Sequence, residues 1–590
     1  MSANKELARI FSEMALAVEL TGGNAFRVNA LNRAARLFKD MTEDVAAVVE
    51  EAGEDAKKVL TAMDGVGKGT AERILEFLET GEIEEHAKLR AEVPAGLLQI
   101  AEIPGLGPKT VRLMWEQLDI TTIEGLKQAI ADESLLTLPR MGKKTVANIA
   151  EALEFLERSG GRTPMGLALP VAERIVALLE EVKGVKRAAY AGSLRRGRET
   201  VGDLDILVAT TDREAAAVAF TTMPDVEKVL ARGETKGSVR LRLSEDRSIQ
   251  ADLRLVEETG FESALLYFTG SKEHNIVMRE RAIKRKLRLN EYGLFKQPKD
   301  PDRPPQAQGG KPVETSEAGI YTRLDLEFVP PELREEWVNV EELDTSELIE
   351  VADLKAELHA HTIASDGHFT IDELADQAAA LGYHTVAVTD HSVSQPVANG
   401  LSPERLLEHI EAVREAASRR KDIRILAGSE VDILADGRLD YEDELLAQLD
   451  IVIASPHNAL KQKPEVATKR LLQAIKHPLV HILGHPTGRL IGKRPGLEPD
   501  LGALIAAAVE HDTALEINAH WMRLDLRDTH VRAAAAAGCL IAINTDAHRE
   551  EHLPMRRFGV ATARRAGLPR SQCLNTWTKA KLSKWLKAKR

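Results

Sequence analysis

A chain of 590 residues with a hydrophobic fraction of 44% has room for several domains at roughly 100–200 residues each. Its apolar runs stop far short of the ~20 residues a membrane helix needs. Met1–Ile10 lacks the apolar core and cleavage site of a secretory signal. Two cysteines exclude a disulfide framework and a Cys-rich zinc module, so a cytoplasmic protein with no membrane partner is expected. The net charge of −13 does not exclude nucleic acid, because phosphate contact needs only a local basic stripe. Stripes of that kind occur at Arg195, Arg196 and Arg198 and from Arg279 to Arg288.

Residues 1–160 are patterned as helices, divided into a small DNA-binding region (1–85) and a second helical region (86–160). Three segments there have a turn-then-helix form: Asp64–Gly69, Pro104–Lys109 and Pro139–Lys144. Glycines at such turns let the chain approach a phosphate, and the following helix N-terminus offers unpaired N–H groups to it. Gly65, Gly67, Gly105, Gly107 and Lys109 are therefore candidate contacts to a DNA backbone. They resemble helix-hairpin-helix units, which grip without reading sequence.

Residues 161–258 alternate strands and helices. Gly192-Ser193-Leu194-Arg195-Arg196-Gly197 precedes Gly202-Asp203-Leu204-Asp205 at the start of an apolar run, and Asp252 lies on a further strand. Spacing of two puts Asp203 and Asp205 on one strand face. Three converging carboxylates suit two Mg²⁺ or Mn²⁺ ions at a phosphoryl transfer. Gly192, Ser193, Arg196 and Gly202 are candidates to cradle a triphosphate. Downstream come Tyr267-Phe268-Thr269-Gly270-Ser271, His274-Asn275 and Arg279.

In this order the motifs resemble family X DNA polymerases of the beta type: an α+β nucleotidyltransferase palm (161–258), then a thumb (259–335) and an acidic linker (336–352). The resemblance implies that Tyr267 and Phe268 pack on the sugar and disfavour ribonucleotides. It also implies that Gly270 and Asn275 line the nucleotide pocket and that Arg279 meets the template strand. Deoxynucleoside triphosphates and gapped or primer-template DNA are the implied partners. Two positions depart from the pattern. Val201 replaces a serine that touches phosphate, and Arg73 occupies the position of the Schiff-base lysine of the abasic-site lyase. A guanidinium stays protonated, so Arg73 cannot act as an amine nucleophile.

From residue 353 seven short apolar runs alternate with helices: Leu354–His359, Thr385–Thr389, Ile423–Gly428, Leu449–Ala454, Leu479–Gly484, Ala514–Asn518 and Leu540–Asn544. This predicts a parallel sheet closed into a distorted (β/α)7 barrel, with Trp577–Arg590 as a lid helix. His359, His361, Asp366, Asp390-His391, Glu430, His457, His485, Asp546 and His548 fall at or just after strand C-termini, where β/α barrels build active sites. His477, His481 and His520 are read as core or surface residues. Imidazoles and carboxylates without thiolate suit Mn²⁺, Zn²⁺ or Fe²⁺.

The set resembles the PHP (polymerase and histidinol phosphatase) domain. Its nine ligands match His359, His361, Asp366, His391, Glu430, His457, His485, Asp546 and His548 and imply a three-ion cluster. The expected whole is a multidomain DNA-directed DNA polymerase for gap filling in repair. Metal-dependent 3′–5′ exonuclease and abasic-site endonuclease activities are expected in the barrel. A small-molecule phosphatase fused to the polymerase core and a structure-specific DNA-binding scaffold are the alternatives.

Overall fold

The computed structural model describes the chain apart from residues 1–2, 42–44, 64–65, 102, 104–105, 140, 144, 148, 151–152, 154–161, 245–246, 299, 301–302 and 590. It forms two compact units, Met1–Gly160 and Gly161–Arg590.

The first unit is helical. Leu7, Phe11 and Met14 recur every three to four residues on helix Ala3–Leu20 and are fully buried, the spacing that gives a helix one apolar stripe. Phe11 stacks on Phe38 of helix Ala25–Asp40 at 5.9 Å. Helices Lys68–Thr80 and Pro108–Leu118 start at N-caps Gly67 and Gly107. Gly65 and Gly105, singled out in the sequence, lie outside the described residues.

In the second unit a five-stranded sheet runs in the order Val185–Tyr190, Asp203–Thr210, Arg247–Val256, Lys236–Ser244, Val226–Arg232. Alternation along Asp203–Thr210 sorts its side chains between two cores. Leu204, Ile206 and Val208 join helices Met165–Glu180 and Arg213–Thr222, while Leu207 and Ala209 join helix Phe261–Thr269. Asp203 and Asp205 share the second parity. Beyond helix Lys272–Lys284, strands Leu287–Asn290, Gly293–Lys296 and Pro312–Glu314 form a small sheet. The acidic stretch that follows is packed chain: Val340 lies in the core of this small sheet and Ile349 in that of the barrel.

Seven parallel strands then follow in sequence order: Ala356–Glu357, Thr385–Val388, Arg424–Asp432, Ile451–Ser455, Ile482–Leu483, Ala514–Asn518 and Ile541–Asn544. A parallel bridge between Ala360 and Ala547 links the ends of the first and last strands, giving the nearly closed barrel the sequence predicts. Its far end is filled by Leu574, Trp577, Leu582, Trp585 and Leu586, the last three from helix Lys579–Ala588. The barrel also completes the palm. Leu524 and Phe558 are buried in the palm core, with Trp521 and Ile491 packed against it, and a Cβ on Gly166 would meet Trp521 Cγ at 2.2 Å. No helix among the described residues is long and apolar enough to cross a membrane.

Candidate metal centres and nucleic-acid contacts

In the palm, the parallel pairing of Asp203–Thr210 with Arg247–Val256 sets Asp205 opposite Asp252. Gln250 donates to both Asp252 oxygens at 3.2 and 3.0 Å. Burial, then the charges of Asp203 and Asp252, pushes the Asp205 carboxyl up to about 6. Asp203 is solvent-exposed, and partial desolvation, then the charge of Asp252, raises it in the same direction. Carboxylates that repel one another are a ready seat for divalent cations. Gly192 has φ +62, and a Cβ there would stand 2.1 Å from Asp205 Oδ2, so only glycine lets this loop pass the acids.

The arginines beside the loop already have partners. Arg195 forks onto Glu317 at 2.8 Å through both terminal nitrogens, and Glu317 also accepts from the fully buried Arg334 at 2.7 Å. Arg196 donates to the Thr269 carbonyl and, through Nε, to Glu335 at 3.1 Å. Tyr267 and Phe268 meet edge-to-face at 5.3 Å. Asn275 donates to the Tyr267 carbonyl at 2.8 Å, and Arg279 is exposed one turn further on. His274 is buried against the Tyr321 hydroxyl at 2.7 Å, and burial pushes its pKa down to about 3. Val201, at the position of the missing serine, is buried in the palm core.

The barrel gathers its ligand candidates far more tightly. Glu430 is the hub. Its Oε2 lies 3.3 Å from His359 Nε2, 3.5 Å from His361 Nε2 and 3.0 Å from His391 Nδ1. Its Oε1 lies 3.3 Å from His457 Nε2 and 2.8 Å from His485 Nε2. Asp546 Oδ1 stands 3.0 Å from His361 Nε2 and 3.6 Å from His359 Nε2. Asp366 Oδ1 stands 3.3 Å from His548 Nε2 and 3.6 Å from His391 Nε2.

Most of these ligand atoms lie close together without a hydrogen bond. Both Glu430 oxygens, Asp546 Oδ1, His359 Nε2, His361 Nε2 and His485 Nε2 are buried with no hydrogen-bond partner. Donors about 2.1 Å from a shared ion stand about 3.0–3.4 Å apart, which matches these separations. Three overlapping groups of ligand atoms can each hold an ion: His359/His361/Glu430/Asp546, His361/Asp366/His391/His548 and His391/Glu430/His457. His485 and Asp546 also carry left-handed backbone, φ 22 and 53. Such strain persists at sites whose surroundings impose it.

Protonation follows the same logic. Burial, with His548 and His391 nearby, pushes His361 down to about 4. Burial opposes charging of His457 too, yet Glu430 and Asp432 outweigh it and raise the ring to about 9. His548 reaches about 9 against burial because of Asp366 and Asp546. Glu430 lies well below the usual carboxylate range, burial being overcome by His359, His457 and His391.

Residues that orient these ligands escape the sequence reading. Glu516 pairs with His359 Nδ1 at 2.8 Å and accepts from the His485 backbone N–H at 2.7 Å. Asp432 holds His457 Nδ1 at 3.2 Å, and Asn518 donates to Asp546 Oδ2 at 2.9 Å. Partners of this kind fix ring orientation and ligand basicity. A carboxylate inside the otherwise apolar run Ala514–Asn518 was the available signal for Glu516. Asp390 is a brace and lies outside the ligand groups: it accepts from Thr362 N at 2.9 Å and Ser365 Oγ at 2.6 Å and pairs with His409 at 2.8 Å. His481, buried, accepts from Val452 N at 3.1 Å at the far end of the barrel. His477 pairs with Asp443 at 3.1 Å.

In the helical unit Gly67 and Gly107 have ordinary negative φ, and a Cβ on either would touch nothing within 4 Å. Neither packing nor backbone conformation requires glycine there. Lys109 is exposed beside Gly107. Arg73, at the lyase position, pairs with Glu85 and donates to the Gly69 carbonyl at 2.9 Å.

Matches to known families follow the same order along the chain. A helix-hairpin-helix domain matches residues 2–83 and a SAM-like helix-hairpin-helix tandem 97–154. The DNA polymerase beta thumb matches 264–335 and the PHP domain 357–520. The DNA polymerase/3′-5′ exonuclease PolX of Bacillus subtilis is 37% identical over 579 residues, 97% of each chain. The chain belongs to the PolX family. It is therefore an enzyme of the family X polymerase type with a PHP barrel, as its motifs imply, and divalent-metal use and DNA as partner come with the family. A probable phosphatase of Thermoanaerobacter is 30% identical over 249 residues, 40% of this chain and 96% of that one. A Leishmania infantum polymerase beta structure is 21% identical, covers 41% of this chain and 98% of that one, and superposes with a TM-score of 0.27.

Proposed function

We propose that the chain fills short gaps in DNA from the palm and trims 3′ ends from the barrel, as a monomer in the cytoplasm at the nucleoid. The reading divides it into DNA-binding (1–85), fingers (86–160), palm (161–258), thumb (259–335) and barrel (353–590) regions. Asp203, Asp205 and Asp252 would hold two Mg²⁺ or Mn²⁺ ions. The nine barrel ligands would hold three ions of Mn²⁺, Zn²⁺ or Fe²⁺. Bound divalent cations supply charge neutralisation to both phosphoryl transfers.

The remaining tasks belong to the chain. Gly192, Ser193, Gly202 and Arg196 hold the triphosphate. Tyr267 and Phe268 crowd a 2′-hydroxyl, and Gly270 and Asn275 shape the pocket. The Asp252 carboxylate accepts the primer 3′-hydroxyl proton. Gly65, Gly67, Gly105, Gly107, Lys109 and Arg279 meet the DNA backbone. In the barrel Glu516 and Asp432 keep two imidazoles turned inward.

The observation that carries the nuclease half is the buried, unpaired set of donors around Glu430. A 5′-labelled gapped duplex incubated with Mn²⁺, with and without deoxynucleotides, tests the whole reading: extension with them and shortening without them are expected. Shortening that persists in His361→Ala places hydrolysis elsewhere.

One observation favours a second reading: a probable phosphatase is matched over 96% of its length by 40% of this chain. Turnover of a small phosphomonoester that exceeds turnover of primer DNA would favour it. Abasic sites should be cut hydrolytically, since Arg73 is committed to Glu85 and cannot form a Schiff base. Incision should vanish with chelator and leave no borohydride-trapped adduct; an adduct that survives His361→Ala points to a lysine in residues 1–90.

A further inference from the structure

Helix Arg556–Ala566 lies between the barrel and the polymerase. On one side a Cβ on Gly559 would stand 2.7 Å from Ile543 Cγ2 and 2.8 Å from Ala519 Cβ, so the helix rests on the strand ends. On the other side it presents two arginines. Arg564 pairs with Glu332 at 2.8 Å. Arg565, only 4% exposed, reaches the loop that carries the triphosphate candidates.

Arg565 donates to the backbone carbonyl of Arg196 at 2.6 Å and to Glu335 Oε1 at 2.9 Å, and is fixed from behind by Asp528 at 2.8 Å. The same Glu335 oxygen accepts from Arg196 Nε at 3.1 Å. Its other oxygen lies 3.4 Å from the exposed Arg198. One carboxylate thus serves three guanidiniums. The loop is tight here, since Gly197 has φ +64 with the Ala561 side chain 3.3 Å from where a Cβ would lie.

A polyanion arriving at Gly192 and Ser193 would compete with Glu335 for the Arg196 guanidinium. A carboxylate left in a half-buried place without a partner resists that exchange strongly. With Arg565 behind it, Glu335 keeps a buried partner when Arg196 leaves. Without Arg565, only Arg198 would remain.

We propose that Arg565, a residue of the barrel, is a positioning residue for nucleotide incorporation. It keeps Glu335 a releasable counter-ion of Arg196 and so sets the apparent affinity of the palm for incoming nucleotide. The inference rests on the reading of Arg196 as a triphosphate contact.

Single-nucleotide gap filling by the full chain tests it in Arg565→Met, Arg565→Lys, Glu335→Gln, the Arg565→Met/Glu335→Gln double variant and Arg196→Met. Melting temperature is followed for each. For Arg565→Met, KM for the nucleotide should rise roughly tenfold with kcat within about twofold, the scale of coupling within one ion-pair network. Arg565→Lys should fall between it and the wild type. Glu335→Gln should lower KM, and the double variant should lose the Arg565→Met defect, a rescue that a merely structural role would not give. A double variant that keeps the defect overturns the proposal. So does an unchanged KM in Arg565→Met where Arg196→Met raises it. If Arg565→Met does not fold, an unchanged KM in Glu335→Gln overturns the proposal by itself. An unchanged KM in Arg196→Met removes the underlying reading of the pocket, and the proposal with it.

Discussion

The palm and the barrel both collect carboxylates for divalent ions, and they finish the task differently. Asp203 is exposed on a strand start, and Asp205 and Asp252 face each other across one sheet. Barrel candidates such as His359, His361 and His485 are fully buried around Glu430. A site with few protein ligands on an open edge leaves coordination positions for substrate oxygens. A site of overlapping buried donors whose imidazoles are turned inward by partners such as Glu516 and Asp432 would hold ions between turnovers. The palm is completed by its substrate; the barrel is completed by its own chain.

The sharpest way to break that contrast is to remove one ligand from each side. Asp205→Ala should reduce extension at least about a hundredfold while shortening stays near wild type, and His361→Ala should do the reverse. Loss of both activities in folded Asp205→Ala would mean that the sites are not separate.

Acidity should separate them next. With His457 and His548 raised to about 9, ion binding in the barrel must expel protons. Affinity there should rise by about tenfold or more per pH unit between pH 6.5 and 9, then level off. Calorimetry in buffers of different ionisation enthalpy measures the protons released. The sign for the metal-free fold is opposite. These raised imidazoles stabilise it fully below pH 6.5, and that contribution is lost as pH climbs through about 9. Metal-free melting temperature should therefore fall over this window; a rise would contradict the assigned protons.

Binding by the helical unit should respond more modestly. Gly67→Val and Gly107→Val should leave melting temperature unchanged, because both positions are open, yet weaken gapped-DNA binding about fivefold at every sequence, with steep salt dependence. A loss confined to some sequences would count against a backbone grip.

The smallest effect concerns the palm alone. Asp205→Asn removes a repelling charge and should stabilise the metal-free protein by about 1–2 kcal/mol at pH 7, solvent screening taking part of the repulsion. Unchanged denaturant midpoints would show that the three acids do not repel as their positions imply.

Much of this was legible in the sequence because periodicity and ligand placement agree. Seven apolar runs gave seven strands, and the ligand candidates stand where those strands end. The spacing of two puts Asp203 and Asp205 on one strand face, and only the sheet register brings Asp252 beside them. What escaped has a common physical character: it depends on pairs distant in sequence. Glu516 and Asp432 read as stray charges until the closing barrel brings them to His359 and His457. His409 sits on the amphipathic helix Pro403–Arg419, and nothing in that pattern shows that Asp390 lies beneath it. The Arg195–Arg198 stripe read as a basic surface, whereas Glu317 and Glu335, more than a hundred residues on, hold most of its charge.

The palm's apolar face is closed by Leu524 and Phe558, side chains about three hundred residues beyond the aspartates they help to seat. Synthesis runs from the N-terminus and domains ordinarily fold as they emerge. This palm cannot complete its core until the ribosome has also delivered the strands bearing Glu430, His485 and Asp546. A chain interrupted before that point is a palm with an open flank. The fold thereby ties completion of the palm to completion of the barrel.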